Sequence, residues 1–158
     1  MQYILMVLFG AGIVAADQLT KLWVVDKIPL FTEIPALPHI FHLTYVQNTG
    51  AAFSMLAGQQ WLFAILFVLL MVMLVWEFIK KPVGLGAFER WCAVAIYAGG
   101  LGNMIDRLRL GYVVDMIELE FMNFAVFNVA DCFITCGSIA LMVSLTFFNK
   151  SLWKDGKK

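Results

Sequence analysis

Long apolar runs, interrupted by a few isolated polar positions, dominate the chain. Four stand out: residues 4–25, 61–79, 91–105 and a run from about 124 to 148. At a rise of 1.5 Å per residue, about 20 residues cross the hydrocarbon core of a bilayer. The third run is short, and its helix is expected to take in flanking residues to cover about 89–107. Two connections, residues 26–60 and 108–123, separate these runs and carry a different pattern. In PHIFHLTYVQ, residues 38–47, alternation puts Phe41, Leu43 and Tyr45 on one face of a strand and His42, Thr44 and Val46 on the other. Asn48-Thr49-Gly50 reads as a turn. Residues 116–121, MIELEF, alternate as a strand or an interfacial segment would.

Composition turns these runs into membrane spans. Of 158 residues, 62% are hydrophobic and 14% charged, and the mean hydropathy is +0.85. A soluble domain of this length keeps more charge. The expected fold is an all-α membrane bundle of four transmembrane helices with a small extracytoplasmic β-structure, forming a single domain over residues 1–158. The formal net charge is zero, so nothing draws the chain globally to nucleic acid. The three cysteines, Cys92, Cys132 and Cys136, form no C-x-x-C pair and suit neither a disulfide framework nor a zinc site. Cys132 and Cys136, one helical turn apart, read as small packing residues.

Positive charge sets the orientation. Lys80, Lys81 and Arg90 flank the connection between runs two and three, and Lys150, Lys154, Lys157 and Lys158 follow run four. Together they are 7 of the 11 basic residues. Both termini are therefore expected in the cytoplasm, with residues 26–60 and 108–123 outside. Val14-Ala15-Ala16 resembles a signal-peptide cleavage site, but no basic residue precedes the run and apolar character resumes after Asp17. A retained helix is the expectation.

The polar interruptions carry the chemistry. A charge at a helix centre costs about 2.5–3.5 kcal/mol on insertion scales. Asp17, Lys21, Asp106, Arg107, Asp115 and Asp131 nevertheless lie within or beside the runs, all toward their outer ends. Asp17 and Lys21, four apart, can pair on one helix face. Asp106 and Arg107 are adjacent, so each needs a partner elsewhere. These four read equally as a structural ion-pair layer, with Lys21 alternatively meeting a ligand. Asp115 and Asp131 have no basic neighbour in sequence. Two carboxylates in one dry site share a proton, as in aspartic proteases; bonding of each to backbone or a neighbouring helix is the competing reading. Asn48, Asn103 and Asn128 can orient the aspartates, bind a peptide backbone or simply bridge helices. Asn128, three before Asp131, shares its face if helical. Ala95/Gly99 and Ala98/Gly102 are small-xxx-small pairs for close helix packing. There is no H-E-x-x-H and no G-x-S-x-G.

Five segments in order carry a resemblance through nearly the whole chain: Asp17-Gln-Leu-Thr-Lys21, Asn48-Thr-Gly-Ala-Ala-Phe-Ser54, Gly99-Gly-Leu-Gly-Asn-Met-Ile-Asp-Arg107, Val113-Val-Asp115 and Phe127-Asn-Val-Ala-Asp131. The sequence resembles bacterial lipoprotein signal peptidase, or signal peptidase II. The resemblance implies four transmembrane helices, an outer β-cradle and an additional outer helix. It implies an aspartic endopeptidase of the bacterial cytoplasmic membrane, cutting prolipoproteins before a diacylglyceryl cysteine. Asp115 and Asp131 match the catalytic pair. Asp17, Lys21, Asn48, Gly99, Asn103, Arg107, Asn128 and Ala130 match site-shaping positions. The expected partners are diacylated prolipoproteins and membrane lipid, the expected state is a monomer, and no cofactor or metal enters the chemistry. Two details depart from the commonest pattern: AGGLGN in place of GGALGN, and Cys132 after Asp131 where Ser is frequent. A small proton- or ion-coupled carrier is the competing function, since intramembrane carboxylates mark such pathways too.

Overall fold

The computed structural model describes residues 1–50, 55–56, 58–80 and 84–149. Its elements in order are α1 (Gln2–Lys27), β1 (Ile34–Leu37), β2 (Phe41–Asn48), α2 (Gln60–Lys80), α3 (Ala87–Leu110), β3 (Val113–Leu119) and α4 (Val129–Val143). A π-helical turn, Ser144–Phe148, prolongs α4. Among the described residues, three helices are long and apolar enough to cross a membrane: Gln2–Lys27, Gln60–Lys80 and Val129–Phe148. The only side chain of α2 that is buried inside the protein is Glu77. A helix apolar all round with its apolar surface turned outward needs an apolar surrounding, which is lipid. The charges of α3 gather at its two ends, Glu89 and Arg90 at one, Asp106, Arg107 and Arg109 at the other.

α3 is the hub, packing against α1, α2 and α4. Its small residues explain why. Ala95, Ala98, Gly99 and Gly102 are all buried. A Cβ at Gly99 would stand 2.5 Å from the Ala130 carbonyl oxygen, so only glycine lets the start of α4 close onto α3. Cys132 is half-buried and Cys136 exposed. Cys136 therefore turns away from the bundle rather than filling a contact within it.

Three antiparallel strands in the order β1-β2-β3 sit at one end of the bundle. β1 has no counterpart in the sequence pattern; all four of its residues are exposed, so a buried-face alternation is missing. β2 and β3 match the two strand-like connections, but β2 does not alternate as expected. Leu43 pairs with Ile117, and Val46 with Asp115. Three steps along β2 thus cover two along β3, which is a β-bulge with one extra residue. Thr44 and Tyr45 are consequently both buried. Tyr45 joins Val24, Ile28, Val114 and Met116 in a cluster that fastens the sheet to the end of α1.

The fourth apolar run becomes helical only at Val129. Asn128 is the N-cap, with extended backbone (φ −132°, ψ −178°). Before it, Phe127 pairs with Ile117 as an isolated antiparallel bridge. The additional outer helix implied by the family resemblance has no counterpart among the described residues. Residues 51–54 and 57, between β2 and α2, lie outside them, as do Lys81, Lys150, Lys154, Lys157 and Lys158 of the orientation argument.

Candidate active site

The isolated polar residues meet in one layer where α1, α3, α4 and the sheet converge. Lys21 is its centre and is 3% exposed. Its ammonium lies 2.9 Å from Asp17 Oδ2 and 2.9 Å from Asp106 Oδ2. It also donates to Asn103 Oδ1 at 2.9 Å. Three donors meet three acceptors, which is how a buried lysine is held charged. Asp17 thus pairs with Lys21 as its spacing suggested, and Asp106 finds its partner on α1. Gln18 ties the same group together, donating to Asp17, Asp106 and the Gly102 carbonyl. Its role has no signal in one sequence beyond its position beside Asp17.

The two paired aspartates also reach backbone. Asp17 Oδ1 accepts from the Ala130 N–H at 3.0 Å, and Asp106 Oδ2 from the Val114 N–H at 3.1 Å. Each of these amides precedes a candidate catalytic aspartate by one residue. Ala130 itself is fully buried. A Cβ on Gly102 would stand 2.5 Å from Asp17 Oδ2, so glycine makes the room this carboxylate occupies.

Asp115 and Asp131 receive asparagines instead of a cation. Asn103 Nδ2 donates to Asp131 Oδ1 at 2.7 Å. Its oxygen faces Lys21, so the ammonium fixes which end of the amide Asp131 sees. Asn128 Nδ2 donates to Asp115 Oδ1 at 2.6 Å and to Asn103 Oδ1 at 3.1 Å. The Asn128 N–H donates to Asp131 Oδ2 at 3.2 Å, while Asn128 Oδ1 accepts from the Asp131 N–H at 2.9 Å. This reciprocal capping box starts α4 and places Asp131 at the positive end of the helix dipole. One asparagine therefore touches both carboxylates. It does so as a cap outside the helix, not as a face-mate within it. Asn48 Nδ2 completes the set, donating to Asp115 Oδ2 at 2.9 Å. Without the bulge, Gln47 would occupy that face of β2.

Asp115 is 2% exposed. Burial is the main reason its carboxyl pKa is pushed up to about 7; Asp131 adds to the rise, and the Asn48 and Asn128 amides oppose it. Arg107 stands at the edge of the layer. It donates to the Gly50 carbonyl at 2.8 Å and lies 4.4 Å above the Phe63 ring, joining the end of the β2 turn to α2. Its Nε is buried and has no hydrogen-bond partner among the described residues. The layer thus brings Asp17, Lys21, Asn48, Asn103, Asp106, Arg107, Asp115, Asn128 and Asp131 together, with Gly99 and Ala130 serving the packing that closes it.

The apolar helical bundle thus carries one buried carboxylate, Asp115, and one half-buried, Asp131, both bonded to amides. Two solved structures, each described as a bacterial membrane enzyme, share the fold. One has a TM-score of 0.83 and 30% identity, covering 97% of this chain and 91% of its own. The other has a TM-score of 0.80 and 30% identity, covering 91% and 94%. The family described as signal peptidase (SPase) II matches residues 9–147. Relatives named lipoprotein signal peptidase include one from Streptococcus pyogenes serotype M2 (strain MGAS10270), 46% identical over 143 residues, covering 90% of this chain and 89% of the relative. Another, from Streptococcus agalactiae serotype III (strain NEM316), is 45% identical over 146 residues, covering 90% and 88%. The chain belongs to the signal peptidase II family, as its five ordered segments suggested.

Proposed function

We propose that this protein is a membrane aspartic endopeptidase that removes signal peptides from prolipoproteins by cleaving before the diacylglyceryl cysteine. The observation that carries the reading is Asn128, whose amide and backbone bind one carboxylate each of a pair that forms no direct ion pair among the described residues. In that site Asp131, at the helix N-terminus, is the ionised partner and takes a proton from the attacking water. Asp115, raised by burial, holds the shared proton and delivers it to the peptide carbonyl oxygen or the leaving amine. No metal enters these steps. Asn48, Asn103 and Asn128 fix the carboxylates. Asp17, Lys21, Gly99 and Ala130 hold the elements that carry them, and Arg107 holds the adjoining turn.

The same reading gives the whole chain, residues 1–158, as one domain whose fourth span is α3. It places both termini in the cytoplasm and the catalytic layer at the outer face of the bacterial cytoplasmic membrane. There water reaches the scissile bond while the acyl chains of the substrate stay in lipid. A monomer suffices, because every site residue named above comes from one chain. A proton- or ion-coupled carrier is less well supported: between the polar layer and Glu89 near the other end of α3, the buried residues Cys92, Ala93, Ala95 and Ala98 form an apolar stretch. The test is incubation of the purified protein with a diacylated prolipoprotein. Cleavage just before the modified cysteine is expected, and full cleavage by Asp115→Asn or Asp131→Asn would overturn the assignment.

A further inference from the structure

The outer sheet carries a second cluster of titratable groups, separate from the catalytic layer. His42 on β2 lies opposite Glu118 of β3 and Pro35 of β1. Its Nε2 is 3.6 Å from Glu118 Oε2 and 3.6 Å from Glu33 Oε2, just before β1. Those separations are too long for hydrogen bonds. On the other side of the ring, Nδ1 is 3.2 Å from Glu120 Oε1. The second oxygen of Glu120 is fixed by the His39 N–H at 2.8 Å. Glu120 thus anchors the ring at Nδ1 and turns Nε2 toward two carboxylates. That arrangement is repulsive unless a positive charge sits between the three atoms.

A bound metal ion answers this geometry more fully than a proton. One nitrogen and two carboxylate oxygens from three separate segments lie within 4.8 Å of one another. Tetrahedral bonds of about 2.0–2.1 Å put ligand atoms roughly 3.3 Å apart, close to the 3.6 Å observed on each side of Nε2. A carboxylate on the far ring nitrogen is the usual outer partner of a metal-bound histidine. We propose that Glu33, His42 and Glu118 bind one divalent transition-metal ion of the zinc type, with Glu120 orienting the imidazole. The ion staples the α1–β1 connection to β2 and β3, the strands that present Asn48 and Asp115. Its role is structural, since Glu118 lies three residues, about 10 Å, along β3 from Asp115.

The test uses the full chain in detergent micelles, stripped of metal with a chelator and titrated with zinc sulfate by calorimetry, with thermal unfolding in parallel. One zinc per chain is expected, with a raised unfolding temperature that EDTA reverses. His42→Gln and the exposed Glu33→Gln each lower the affinity at least tenfold, and Glu120→Gln about tenfold. His39→Gln leaves it unchanged. No stoichiometric uptake by the unaltered protein would overturn the proposal, the imidazolium alone then holding the carboxylates together. Equal affinity in the unaltered protein and Glu33→Gln would overturn it as well.

Discussion

Two pairs of aspartates stand side by side in this bundle, three of them buried and Asp131 half-buried, and the pairs have different surroundings. Asp17 and Asp106 share the ammonium of Lys21, and each of their oxygens has a partner. Among the described residues the hydrogen bonds to Asp115 and Asp131 come from amides, and neither forms a direct ion pair. A carboxylate beside a buried cation stays ionised and serves as a rigid acceptor. A carboxylate pair held by neutral donors in a dry site keeps a proton to exchange. The first pair also builds the second: through the Ala130 and Val114 amides it fixes the residues that precede Asp131 and Asp115. Under the proposed function, charge compensation separates the scaffold from the chemistry within one residue type.

Breaking each pair should give a different phenotype. The largest expected effect is on catalysis: Asp131→Asn or Asp115→Asn lowers the rate of prolipoprotein cleavage by about 10³-fold or more, with the folded yield kept. The comparison fails if these variants unfold instead. Lys21→Met leaves two carboxylates uncompensated and should cost about 3–5 kcal/mol of stability, read as a lower unfolding temperature in detergent. Gly102→Ala pushes a methyl group against Asp17 and should cost about 1–3 kcal/mol, with partial activity left in the folded fraction.

The smallest effect is the most diagnostic. The Asp115 pKa is raised, so its proton persists up to about pH 7 and leaves above it. The proposed mechanism needs one proton on the pair. Cleavage should therefore fall on the alkaline side by about tenfold per pH unit once the proton is lost, and on the acid side once both carboxyls are protonated. A flat profile from acid to neutral pH would remove the distinction between the two aspartate pairs.

Much of this arrangement was legible in the chain. Asp17 and Lys21 pair because a four-residue spacing on a helix leaves little choice. The small face of α3 follows from Ala95, Ala98, Gly99 and Gly102. Other features were hidden because they depend on contacts between distant segments. The extra residue in β2 is visible only against β3, since a single strand has no register. Asn128 reads as helical by spacing, yet its side chain bonds the Asp131 amide and so ends the helix there. β1 has no alternation to detect. Gln18 acquires meaning only once α1 and α3 are adjacent.

By itself the sequence determined the solvent, the helices and the residue types of the site. Those follow from hydrophobic run length and from the cost of isolated charges in lipid. Tertiary structure decided which carboxylates the lysine neutralises and which it leaves alone. Hydrogen-bond reach is about 3 Å, and only the packing of α1, α3, α4 and the sheet sets which groups come that close.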